Sequence, residues 1–171
     1  MPFTPFHLGP ALLIGIILIY YIDFPTLLVA SVILDIEPFL VLLFDLNYPL
    51  HGFFHSFLGG TLVILPLSFI MYKIRTFLDP ITEFFKIEQK SSFVNMLAAS
   101  TIGIYSHILL DAPLYSDIQP FFPLNFNPFL DTSGLPGVTI YLFCAYCFIT
   151  AVILYFIRLA IKFKNKKNKK N

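Results

Sequence analysis

Two pairs of residues spaced four apart stand out in a chain with few polar groups. They are His51 and His55 in LHGFFHSFLGG, and His107 and Asp111 in SHILLDAP. On a helix, side chains at i and i+4 share a face. A His/His or His/Asp pair at that spacing can grip one divalent ion from two sides. His7 in TPFHLG, with Asp35 and Glu37 in LDIEP, adds three more donor groups. Mixed imidazole and carboxylate sets suit Zn²⁺, Mn²⁺ or Fe²⁺ better than Ca²⁺ or Mg²⁺. Seven candidate ligands exceed the needs of one tetrahedral ion and suffice for two, with a position left open for water. That open position is the requirement for metal-assisted hydrolysis.

The surroundings of these groups should reject them. Of 171 residues, 57% are hydrophobic, 18% aromatic and only 12% charged, and no soluble domain of this size hides so much apolar surface. The expected fold class is an all-α membrane protein, a single domain over residues 1–161 followed by a basic tail over 162–171. Five segments approach the ~20 residues that span a bilayer: about Pro5–Ile22, Pro25–Phe44, Phe53–Ile74, Phe93–Leu114 and Pro136–Ile161. Pro25 and Pro136 suit first helical turns, where a missing N–H does no harm. No Lys or Arg precedes the first apolar run, which argues against a cleaved signal peptide.

All eleven basic residues fall either from the end of the third segment to the start of the fourth or from the end of the fifth onward. With five spans, both groups lie on one side, and the positive-inside rule makes that side cytoplasmic. The N-terminus is then outside and the chain is a multi-pass protein of the cell membrane. Every histidine, together with Asp35, Glu37 and Asp111, lands toward the outer end of its segment. Ionisable groups in a bilayer cost roughly 2.5–3.5 kcal/mol each unless paired. Four segments bringing such groups to one depth therefore predict one shared pocket. Asp35 and Glu37 are two apart and would diverge on a regular helix, but Pro38 disfavours helix at Glu37. The LDIEP stretch should loosen there and let its carboxylates turn inward.

The loop over residues 115–135 is rich in Pro, Phe and Asn. It should lie at the outer interface or fold back onto the protein. Asp117 and Asp131 read as turn residues there. Gly59 and Gly60 read as close helix packing, and Cys144 and Cys147 as small buried residues on one helix face. The tail KFKNKKNKKN reads as a solvated, disordered end held near anionic lipid. A net charge of +1 gives no reason to expect nucleic acid. Zinc-protease, serine-hydrolase, Walker and Rossmann motifs are absent from the sequence.

Taken together, TPFHLG, LDIEP, HGFFHSFLGG and SHILLDAPLYSDIQPFFP resemble the LexA-binding, inner-membrane-associated family of metal-dependent hydrolases. The resemblance covers the chain to about residue 125. It implies metal-site roles for His7, Asp35, His55, His107 and Asp111. The family is similar in ligand pattern to the zinc-dependent phospholipase C and P1 nuclease group, which implies phosphoester hydrolysis; a lipid substrate is expected because the pocket would open among acyl chains. His51 and Glu37 stay open between ligand and catalytic base. Two other functions fit the same residues: a membrane protein with a closed structural metal site, and an ion or proton transporter.

Overall fold

The structure is a computed structural model and describes residues 4–133 and 136–168. Among these residues it is helical, with no strand. The helices are α1 (Leu8–Ile17), α2 (Phe24–Ala30), α3 (Ile36–Leu43), α4 (Phe57–Phe84), α5 (Phe93–Asp111) and α6 (Pro136–Asn168). Short 3₁₀ turns cover Thr4–His7, Ile33–Asp35 and Phe53–His55.

Four passages are long and apolar enough to cross a membrane: Phe24–Leu43, Phe57–Phe84, Phe93–Asp111 and Gly137–Asn165. The expected fifth falls short. The apolar helix at the N-terminus covers only Pro5–Ile17, about 20 Å at 1.5 Å per residue. The chain must reverse before Asp23, which begins α2 by accepting the Thr26 N–H at 2.9 Å and its hydroxyl at 2.6 Å. Residues 18–22 are spent on that turn. Its carbonyls, left without helical partners, need donors, and polar side chains supply them: Gln89 Nε2 bonds to the Ile19 and Ile22 carbonyls, and Asn95 Nδ2 to that of Tyr21.

Contacts place α1 beside α6, running the same way. Phe6 packs on Tyr141 and Arg158 reaches Tyr20. α2 and α4 both pack on α5. One end of the bundle gathers His7, Asp35, His55, His107 and Asp111. The other gathers Asp23, Arg75, Gln89 and Asn95. Along α5 the two levels, at His107 and Asn95, lie about 18 Å apart.

Between them the core is Leu27, Ala30, Leu67, Met71 and Ile104, with Ser68 donating to Ser100 at 3.0 Å. Small residues let these helices meet closely. A Cβ on Gly103 would stand 2.5 Å from the Ala30 Cβ and 3.0 Å from the Leu27 carbonyl oxygen. Gly103→Ala should therefore destabilise by about 1–3 kcal/mol, despite the better helix propensity of Ala. Thermal unfolding in detergent measures it; an unchanged or raised midpoint contradicts this packing. Gly60 likewise faces the Ile104 and Ile108 methyls, and Cys144 and Cys147 are buried, Cys144 against Gly9.

Two further boundaries differ from expectation. α6 runs on through Lys162 to Asn168, so that part of the basic tail is helical. Lysine is a good helix former, and cations favour a helix C-terminus. The break in the second passage comes at the Ile33–Asp35 turn, and Glu37 and Pro38 lie in the first turn of α3, where Pro is tolerated.

Candidate metal centre

Each donor is delivered by a distinct local device. The 3₁₀ turn before α3 ends on Asp35, and a second one before α4 ends on His55. Ser56 stops that turn and begins α4 by accepting the Gly59 N–H at 2.9 Å. His51 and His55 do not share a helix as their spacing suggested. The chain between them bends at Gly52, where a Cβ would lie 2.0 Å from the Tyr48 ring. Their rings nonetheless meet edge-on, with centroids 4.9 Å apart. His107 and Asp111 do lie one turn apart on α5, with Nε2 and Oδ2 separated by 3.3 Å.

One donor atom each from Asp35, His55, His107 and Asp111 lies within 4.8 Å of the others, so these four residues can hold a metal ion. His55, His107 and Asp111 are buried, and the Asp35 side chain is 15% exposed. The hydrogen bonds behind the cluster fix its chemistry. His107 Nδ1 lies 2.8 Å from the Ser31 carbonyl, which can only accept, so Nδ1 carries the proton. His55 Nδ1 lies 2.8 Å from Glu37 Oε2 and donates likewise. In its neutral form each ring then presents a bare Nε2, and the two Nε2 atoms face each other at 3.4 Å.

Two lone pairs opposed in a buried site repel unless a proton or a metal cation stands between them. Nearby oxygens have the same need. Asp35 Oδ2 and both oxygens of Asp111 are buried without a hydrogen-bond partner. His7 Nε2 sits 3.2 Å from Asp111 Oδ1, yet the two are not aligned as donor and acceptor. Leaving so many buried polar atoms unsatisfied costs about 1–3 kcal/mol each, and one shared ion relieves them together. The spacings of 3.3, 3.4 and 3.8 Å around His107 Nε2 match the roughly 3.3 Å between ligands of a tetrahedral ion with 2.0–2.1 Å bonds.

The remaining candidates surround this core. His7 stacks on His107, with centroids 4.2 Å apart, and borders Asp111. Glu37 stands behind His55 and also accepts the Phe54 N–H at 3.3 Å, the usual second partner of a metal-binding imidazole. His51 is buried one ring away from the core, its ring tilted against that of Tyr115 with centroids 4.1 Å apart.

Asp117 is the residue that sequence reasoning misjudged. Its carboxylate accepts the His51 N–H at 3.0 Å and contacts His51 Nδ1 at 3.0 and 3.2 Å. Partial burial works to raise its pKa, but these His51 contacts outweigh that and hold it below the usual carboxylate range. Nothing in the spacing of YSDIQ signals the pairing, because it joins positions 66 residues apart. Asp131 is a turn residue as expected, accepting the Ser133 N–H. The loop that carries Asp117 folds back onto the site end, where Pro120 accepts the Phe57 N–H and Asn127 donates to the Ala112 carbonyl.

No family model, no curated protein and no solved structure matches this chain.

Proposed function

We propose that the chain is a membrane-embedded metal-dependent hydrolase that cleaves a lipid phosphoester at the extracytoplasmic face. The observation that carries this reading is the pair of bare Nε2 atoms of His55 and His107 opposed at 3.4 Å beside unpartnered Asp35 and Asp111 oxygens. The imidazole and carboxylate set favours Zn²⁺, with Mn²⁺ or Fe²⁺ as alternatives. An ion held there supplies positive charge for a phosphate, polarises its oxygen and lowers the pKa of water toward about 7.

The chain's own residues divide the remaining work. Asp35, His55, His107 and Asp111 bind, and His7 borders them as a further ligand. Glu37 and the Ser31 carbonyl hold the two rings with Nε2 inward. His51, its Nδ1 proton committed to Asp117, offers Nε2 to take a proton from an attacking water. The resemblance to the LexA-binding hydrolase family points to the same residues.

A lipid substrate fits the approach to the site. A groove of about 490 Å³, lined by Ile33, Leu34, Ile36, Leu40 and Val63, reaches Glu37 from between α3 and α4. It opens toward acyl chains. The positive-inside rule puts the Arg75 end in the cytoplasm and the His107 end outside. The transporter reading lacks support, because the buried Asp23 at the far end is locked in an ion pair with Arg75 and the layer between is mainly apolar.

The test is hydrolysis. Protein loaded with Zn²⁺ in phospholipid liposomes should release a phosphorylated headgroup, and chelation should stop it. Asp117→Asn should slow release about 10–100-fold with metal content unchanged. Protein that keeps its metal yet cleaves no phosphoester would establish a structural site instead.

A further inference from the structure

At the opposite end of the bundle, Arg158 carries a charge met only by the Tyr20 ring and hydroxyl among the described residues. The other arginine there, Arg75, is bound by Asp23 and Asp79. Lys162 is bound by Glu88 at 2.7 Å. Among the described residues no carboxylate pairs with Arg158. Its Nη1 reaches only the Tyr20 hydroxyl, at a long 3.4 Å, and its Cζ lies 5.2 Å from the centre of the Tyr20 ring. Its Nε is buried and without a partner. A guanidinium has five donors in a planar fork suited to phosphate, and here most of them are idle.

Arg158 and Tyr20 also line both of two neighbouring cavities. One is a polar niche of about 220 Å³, walled by Lys90, Ser91, Asn95 and Glu88, the last neutralised by Lys162. The other is a groove of about 580 Å³ between α1 and α6, walled by Ile16, Ile17, Leu154, Ile157 and Ile161. A polar, cationic niche beside an apolar groove has the shape of an amphiphile. Tyr20 and Tyr21, 80% and 71% exposed, mark this depth as a membrane interface.

We propose that the Arg158 niche is a binding site for one anionic phospholipid of the leaflet at the basic end. Its phosphate sits against the Arg158 fork and Lys90, and an acyl chain lies along Ile17, Leu154 and Ile157. The site is separate from the metal centre and does not depend on the hydrolase reading.

The full chain, purified in nonionic detergent, can be titrated with phosphatidylglycerol, with phosphatidylcholine and with inorganic phosphate, following thermal unfolding and retained lipid by native mass spectrometry. Phosphatidylglycerol should raise the midpoint and remain bound one per chain, while the other two should not. Arg158→Gln should weaken retention about five- to tenfold, and the exposed Lys90→Gln should weaken it less. Lys167→Gln, which removes the same charge from the tail, should leave it unchanged. Equal losses in Arg158→Gln and Lys167→Gln would overturn the proposal in favour of diffuse attraction. An equal effect of inorganic phosphate would overturn it in favour of a free-anion site.

Discussion

Asp111→Asn should abolish metal binding and, at the same time, make the metal-free protein more stable. The two effects come from one piece of geometry. Both Asp111 oxygens are buried without a hydrogen-bond partner, and Asp35 and Asp111 bring two carboxylates to one cluster. Without an ion those charges repel and are desolvated. Neutralising one relieves the apo state and removes the ligand charge that the ion needs.

The wild type should therefore gain stability from added Zn²⁺, by about 2.7 kcal/mol at a hundredfold excess over Kd. It should lose that gain on chelation. Asp111→Asn should respond to neither. Metal analysis with unfolding midpoints, each taken with and without chelator, checks both halves. If chelation leaves the wild type unmoved and Asp111→Asn simply weakens it, the cluster is a hydrogen-bonded polar core and the metal centre is wrong.

Arg75→Ala should be among the most damaging substitutions in the chain, by about 3–5 kcal/mol. Arg75 lies on α4 with its Nε 3.0 Å from Asp23 Oδ2, and Asp23 is fully buried. The same guanidinium donates to Asp79 at 2.6 Å and to the Gln89 carbonyl at 3.2 Å. Removing it strands the Asp23 charge and loosens the segment whose Gln89 side chain satisfies the α1–α2 turn. The pair Asp23→Asn with Arg75→Gln should recover much of the loss, since no buried charge is then left unanswered and Asp79 is exposed to solvent. Denaturant or thermal unfolding of the two variants against wild type measures this. A loss under 1 kcal/mol for Arg75→Ala would mean that water reaches Asp23.

The sequence placed Arg75 in a connecting loop. The pairing that holds it inside the bundle joins residues 52 apart, and no local pattern carries such information. Asp117 shows the same limit from the other side. A lone aspartate in a Pro/Phe-rich loop has the look of a turn residue until the loop folds back and sets it against His51. The length of the first helix was hidden for a related reason. Hydropathy runs unbroken from Pro5 to Ile22, and the reversal inside it is possible only because Gln89 and Asn95 arrive from elsewhere to bond its carbonyls.

The sequence by itself determined the solvent and the set of polar groups that had to cluster. Composition required a membrane, apolar run length gave the long passages, and the cost of burying ionisable groups drew His7, Asp35, His55, His107 and Asp111 to one level. Only the tertiary structure decided which atoms face inward. The Ser31 carbonyl and Glu37 take the Nδ1 protons and turn two Nε2 lone pairs toward each other, and that orientation depends on helices packing at Gly60 and Gly103. Depth is written in the order of residues along each helix, whereas lone-pair direction is set by contacts between helices.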